Sequence, residues 1–130
     1  LSQIIARSGR SVLLFDGDIG LANVDVQLGL TPSRDLSSVI AGRHTLEQVV
    51  TRYEDGGFDM IAGRSGSAGL AALPMERLED LARELSYLAR NYDVVLIDLG
   101  AGVEAHVRYL ASLCTRCVMV VTDEPTSLTD

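Results

Sequence analysis

The acidic residues of this chain are spaced as a metal–phosphate site would need them. Asp16 and Asp18 stand in F-D-G-D-I-G, Asp98 in L-I-D-L-G-A-G, and Asp123 and Glu124 follow V-M-V-V-T. Each group comes directly after a short apolar run, the position at which a buried strand delivers its next residue to the end of a sheet. Active sites of open α/β sheets lie beyond the carboxyl ends of their strands. Carboxylates gathered there repel one another unless a cation, a water network or a phosphate-bound metal lies between them. Mg²⁺ suits such a place, because one carboxylate or its water shell can hold it together with nucleotide phosphates. Taken singly, each aspartate could equally end a strand or cap a helix. The glycines favour chemistry. Gly17 separates Asp16 from Asp18 without a side chain to crowd them, and Gly100 and Gly102 let backbone N–H groups beyond Asp98 approach an anion.

Strands must position these groups, and the apolar pattern supplies them. Residues 11–15 (SVLLF), 94–97 (VVLI) and 118–122 (VMVVT) read as strands, with a weaker one at 58–62. Continuous rather than alternating hydrophobicity predicts a parallel sheet buried on both faces between layers of helix. The clearest helix spans 75–90, where Met75, Leu78, Leu81, Ala82, Leu85, Leu88 and Ala89 recur at three- and four-residue spacing, with Pro74 at its entrance. A second is expected at 104–113, carrying Val107, Leu110 and Ala111 on one side. Segments 35–40 and 45–50 read as short helices, each opening on an N-cap residue and separated by Gly42. Residues 1–8 read as the last turns of a helix closed by Gly9, so a strand and loop are expected upstream of them.

Composition narrows the function classes. The 130 residues suffice for one compact domain, with 47% hydrophobic and 22% charged residues, as in globular rather than disordered chains. A net charge of −7 argues against nucleic acid as a partner, since phosphate binding needs a basic face. No apolar run reaches the length of a membrane span, and no signal-peptide pattern opens the chain. Cys114 and Cys117 form C-x-x-C across an expected helix–strand boundary, which favours small packed hydrophobes over zinc or redox chemistry. His44 and His106 lack neighbours at ligand spacing and read as surface or capping residues. Arg7, Arg10, Arg34, Arg43 and Arg64 read as solvated charges, with Arg64 the one suited to a dimer contact.

The motifs together resemble a known family. V-L-L-F-D-G-D-I-G-L-A-N-V-D-V-Q-L-G-L (12–30) resembles the first switch segment of the MinD/ParA ATPases, a deviant P-loop class. Y-D-V-V-L-I-D-L-G-A-G-V-E (92–104) is similar to their second switch, and D-E-P-T-S-L-T-D (123–130) resembles the same region of the flagellar-number regulators of the FlhG/FleN type. Order and spacing match over essentially the whole chain. The resemblance implies an α/β three-layer sandwich with a mostly parallel sheet, P-loop NTPase-like, truncated at its N-terminal strand and P-loop, with 1–130 as a single partial domain. It implies ATP and Mg²⁺ as cofactors, with Asp18 positioning the attacking water and Asp16 supporting the magnesium and the first-switch network. Asp98 would hold the ion through water, and the Gly102 backbone would sense the γ-phosphate. Asn23 and Asp25 match the family as structure of the switch loop.

The same resemblance implies an ATP-dependent homodimer that regulates flagellar number or cellular positioning. Its partners would belong to polar or flagellar machinery. It would be cytoplasmic and peripheral at the inner membrane, touching the membrane through a region outside these residues. Two departures matter. The glycine-rich loop with its lysines does not occur in the 130 residues, so the segment by itself is expected to be inactive. Leu99 stands where relatives commonly carry Ser or Thr. Two other functions share the fold: a non-hydrolysing scaffold of the pilus-placement type, and an ATP-dependent ligase or amidotransferase of the cobyrinic-acid synthase type. Retention of Asp16 and Asp18 argues against the scaffold, Leu99 mildly for it.

Overall fold

The computed structural model describes residues 1–18, 28–29, 34–63, 70 and 73–121. Four strands form one sheet: β1 (Val12–Asp16), β2 (Thr51–Tyr53), β3 (Phe58–Ile61) and β4 (Val94–Asp98), in the order β2-β3-β1-β4. β1 runs parallel to both β3 and β4, while β2 pairs antiparallel with β3. The helices are α1 (Ser2–Arg7), α2 (Leu36–Ile40), α3 (Met75–Leu88) and α4 (Ala105–Ser112).

Alternate residues of the strands feed two cores, one on each face of the sheet. Leu13, Phe15 and Ile61 pack with Leu36 and Val39 of α2, Leu78, Leu81, Leu85 and Leu88 of α3, and Leu110 of α4. Val12, Met60 and Phe58 face the other way, against Ile5 and Ala6 of α1. Helices on both faces of a mostly parallel sheet make the three layers that the continuous apolar runs predict. β1 at the centre is the most deeply buried strand, with Phe15 and Leu13 at 0% exposure.

Local chemistry ends the helices where expected. Gly9, at φ +86°, donates its N–H to the Ala6 carbonyl, and Ser8 donates to Ile5, which closes α1. Asp35 caps α2 by accepting the Ser38 N–H at 3.2 Å. Pro74 occupies the N-cap of α3, and a 3-10 turn (Ala89–Asn91) continues that helix. Thr45 and Gln48 cap each other reciprocally, each side chain accepting the other's N–H, but only a 3-10 turn (Glu47–Val49) follows instead of a helix. The β-branched run Val49-Val50-Thr51 carries the chain straight into β2.

Two strand assignments differ from expectation. β2 adds a short edge strand that the sequence reading omits; it forms a hairpin with β3 across the turn at 54–57. Residues 118–121, expected as a strand, pair with nothing among the described residues, and Val118, Met119 and Val120 are 79%, 83% and 88% exposed. Thr122 lies outside the described residues. A strand forms only with a neighbour to take its backbone hydrogen bonds, and apolar β-branched composition does not supply one. For the same reason the four apolar residues of β4, paired with β1 alone among the described residues, are half-buried rather than fully covered.

The register of β1 against β4 is fixed at the end away from the acidic groups. Asp93 Oδ2 accepts both the N–H of Ser11 (2.8 Å) and its hydroxyl (3.0 Å), and the Asp93 N–H donates back to Ser11 Oγ (2.9 Å). The Ser11 backbone bond, ahead of the hydroxyl one, holds the Asp93 carboxyl below its ordinary range.

Tyr92, just before β4, donates its hydroxyl to Asp59 Oδ2 at 2.8 Å, while Asp59 Oδ1 receives Arg52 at 3.0 Å. Burial first, and then the bond to Asp59, pushes the Tyr92 hydroxyl up to about 12. A group raised in the folded state contributes stability that is complete below its unfolded value of 10.0 and is lost as pH climbs through about 12. Tyr92→Phe is therefore expected to cost about 1 kcal/mol at neutral pH. It should also remove this component of the stability loss between those two pH values, which urea unfolding at stepped pH measures.

Candidate functional site

Because β1 and β4 are parallel and in register, Asp16 is the direct partner of Asp98 at their carboxyl ends. Two aspartates expected on separate strands thus hold paired positions at the ends of neighbouring strands. Asp16 is 1% exposed, and its Oδ1 accepts the N–H of Asp18 at 3.3 Å, so the first carboxylate orders the turn that carries the second. The Gly17 N–H donates to the Asp98 carbonyl at 2.8 Å and ties that turn to the end of β4. A Cβ on Gly17 would lie 3.2 Å from the same carbonyl oxygen and 3.3 Å from Leu99 Cδ2, tighter than ordinary contact. The missing side chain that the F-D-G-D spacing singles out is what lets the two loops touch.

Burial, followed by the negative charge of Asp18, pushes the Asp98 carboxyl above its ordinary range. Asp98 itself stays open to solvent, so this repulsion is partly screened. The site therefore favours a cation. Among the described residues no group of three or more His, Cys, Asp or Glu side chains forms a ready metal cage. An ion held here would draw most of its ligands from water and phosphate, as Mg²⁺ does.

Gly102 lies further along the loop after β4, at φ +133°, where L side chains are strained. The Glu104 carboxylate lies against it, 2.2 Å from where a Cβ would be, a neighbour that the sequence reading did not anticipate. Leu99 packs against the core cluster beneath α3. Asn23, Asp25, Arg64, Asp123 and Glu124 lie outside the described residues.

Residues of bland expectation found modest roles. His106 Nε2 bonds the Leu73 carbonyl at 2.7 Å and links α4 to the segment before α3. His44 is half-buried, and its Nδ1 has no partner among the described residues. Cys114 is half-buried but Cys117 is exposed, so only the first fits the expectation of a packed hydrophobe. Burial, then Cys117, raises the Cys114 thiol and disfavours the reactive thiolate.

A mostly parallel sheet between helical layers, with aspartates at the carboxyl ends of adjacent strands, makes a three-layer α/β fold, and its likeness to MinD structures places it with the P-loop NTPase type. Comparison with known proteins agrees. The chain is 39% identical over 130 residues to the antiactivator FleN of Pseudomonas aeruginosa, covering 100% of this chain and 46% of that protein. It is 30% identical over 131 residues to the flagellum site-determining protein YlxH of Helicobacter pylori, covering 100% of this chain and 44% of that protein. Among solved structures, the septum site-determining protein MinD of Pyrococcus horikoshii, complexed with Mg-ADP, superposes with a TM-score of 0.80 at 25% identity, over 98% of this chain and 52% of that one. No family model matches. The chain spans about half the length of the curated relatives it matches. Along its whole length the chain is similar to P-loop ATPases of the MinD/ParA family, and among them to the FleN-type members.

Proposed function

We propose that the whole protein is an ATP-binding and ATP-hydrolysing switch, dependent on Mg²⁺ and dimeric when ATP is bound, that regulates flagellar number or the placement of another polar structure. The observation that carries this reading is the register pair Asp16–Asp98 with Asp18 on the turn between them. Asp98 would hold Mg²⁺ through the ion's water shell. Asp16, buried beneath, supports the ion's network and fixes the turn that carries Asp18. Asp18 would orient the attacking water, and the Gly102 backbone N–H would serve the γ-phosphate. The bound ion supplies charge neutralisation on the phosphates, and the protein supplies positioning, which is most of what phosphoryl transfer needs. The similarity to FleN and YlxH supports the flagellar branch of this function, and the Mg-ADP bound by the related MinD supports the cofactors.

The segment by itself is inactive in this reading. All 11 of its basic residues are arginine, so none can serve as the lysine that reaches nucleotide phosphates in a P-loop. ATP joins two copies of the protein, and the joined surface recruits factors of the polar or flagellar machinery. The protein works in the cytoplasm and peripherally at the inner membrane, through a region outside these residues. Among the described residues no helix is long and apolar enough to cross a membrane. Nucleic acid is not a partner of this acidic segment. One observation favours a second reading, a localisation scaffold that does not hydrolyse ATP: Leu99 turns to the core and offers no polar contact after Asp98.

Nucleotide binding by the whole protein, titrated with Mg²⁺, tests the proposal. Asp98→Ala is expected to raise the Mg²⁺ concentration needed for half-maximal ATP binding by about 10- to 100-fold, the usual loss for a ligand acting through the outer shell. An unchanged Mg²⁺ dependence would remove Asp98 from the metal site, and absent ATP turnover in the unmodified protein would favour the scaffold.

A further inference from the structure

Beside its buried face, α3 carries a second stripe. Arg83, Ser86, Tyr87 and Arg90 recur there at three- and four-residue spacing. With Tyr109 of α4 and Leu113 at its C-cap they line a groove of about 300 Å³, to which the buried Ala82 also contributes. The bond between His106 and the Leu73 carbonyl ties the two helices at their starts, so the groove lies between their later turns.

Packing does not account for this stripe. Tyr87 is 71% exposed, although an aromatic ring gains by burial. The Arg90 guanidinium lies 5.4 Å from the centre of that ring, in a cation–π contact. Arg83 pairs with Asp80, but both side chains are mostly exposed, so water screens the pair and a carboxylate from another molecule can replace it. Glu84, the next residue, is engaged elsewhere and accepts the Leu46 N–H at 2.8 Å. Among the described residues the lining thus holds two arginines, two tyrosines and no acid, on a chain of net charge −7.

That chemistry selects the occupant. A groove whose tyrosine stands open to solvent does not enclose a small molecule, since small-molecule pockets bury about 70–90% of their ligand. Two cations on an acidic chain do not make a nucleic-acid face, which must neutralise several phosphates. Tyrosine and arginine are the side chains that dominate contacts between proteins. Arg83 precedes Tyr87 by four residues and Arg90 follows it by three, which on a helix sets the two cations about 10 Å apart with the ring between them. A partner helix laid along the groove matches them with a carboxylate, an apolar side chain one turn on, and a second carboxylate one turn further.

We infer that the groove between α3 and α4 docks an acidic helical segment of a partner protein, with its apolar side chain between Tyr87 and Tyr109 and its flanking carboxylates on Arg83 and Arg90. α3 ends shortly before β4 begins, so this surface lies toward the end of the sheet opposite Asp98. Docking there does not depend on the nucleotide site.

The probe is a fluorescein-labelled, alanine-rich peptide carrying the order Glu-x-x-x-Phe-x-x-Glu, titrated by anisotropy against the whole protein without nucleotide. Saturable binding is expected, weakened about 10-fold by Tyr87→Ala and at least as much by Arg83→Glu combined with Arg90→Glu, with thermal midpoints nearly unchanged. A peptide with lysine in place of glutamate should bind only the charge-reversed variant. Absence of saturable binding to the unmodified protein, equal binding by the variants, or equal binding of the lysine peptide overturns the inference. So does a preference for phosphatidylglycerol vesicles or duplex DNA that the same variants abolish. Arg83→Gln with Arg90→Gln gives the same comparison with the acidic peptide should the reversed variant fail to fold. Because the titration needs no nucleotide, it decides the groove whether or not the protein hydrolyses ATP.

Discussion

Asp18→Ala in the whole protein is expected to lower ATP turnover by about 10²- to 10⁴-fold, the range lost when a positioned group that orients or deprotonates the nucleophile is removed. Three features of the site lead to that figure. Asp18 is on the turn joined to the end of β4 by the bond from the Gly17 N–H to the Asp98 carbonyl. Its N–H is held by the buried Asp16, and its negative charge is felt by Asp98. The carboxylate thus lies against the loop after β4 and near Asp98 without belonging to the core. Its removal relieves like-charge repulsion, so ATP binding should survive while the chemical step does not. The protein should then accumulate as the ATP-bound dimer. Steady-state kinetics with nucleotide-binding calorimetry and size-exclusion chromatography in ATP measure all three. A kcat within a factor of about two of the unmodified protein would assign Asp18 to structure rather than to catalysis.

Phe15→Ala is expected to cost about 3–5 kcal/mol of folding stability, the range for deleting a buried aromatic side chain without full collapse of the cavity. Phe15, the residue of β1 just before Asp16, is fully buried and belongs to the core shared by α2, α3 and α4. Its ring also lies 3.2 Å from where a Cβ on Gly17 would be, so it supports the turn between Asp16 and Asp18 from below. The cavity should therefore loosen the site together with the fold. Met119→Ala is the matched control: at 83% exposure it should change stability by no more than about 0.5 kcal/mol. Equilibrium urea unfolding of both variants distinguishes them, and a Phe15→Ala loss below about 1 kcal/mol would contradict the packing described here.

Local features were legible in the residues because their causes are local. The three- and four-residue spacing from Leu78 to Leu88 is a property of one helix face, though Met75, at its first position, stays exposed; the Asp35 and Gly9 caps act within a few residues of themselves. The runs SVLLF and VVLI mark strands by their own composition, and the aspartates that follow them identify the functional end of the sheet. The family resemblance rests on those same segments, and the similarity to FleN and YlxH agrees with it.

What escaped was pairing. VMVVT has the composition of a strand, yet 118–121 stands exposed, while Thr51–Tyr53, with a charged residue at its centre, forms the edge strand beside β3. Whether an apolar run becomes a strand depends on a backbone neighbour that its own residues do not specify.

The residue types of the site, and the strands that present them, can be read from the chain, since strand composition and the glycines around each aspartate are local properties. Their relative placement comes from contacts between distant segments. Asp16 meets Asp98 because Ser11 and Asp93, 82 positions apart in the chain, clamp β1 and β4 in one register. The same pairing brings the Gly100 backbone against the Asp18 side chain. The side-chain period of a strand is two, so a slip of one residue would turn Asp98 to the opposite face of the sheet. Only contacts between distant segments fix that choice.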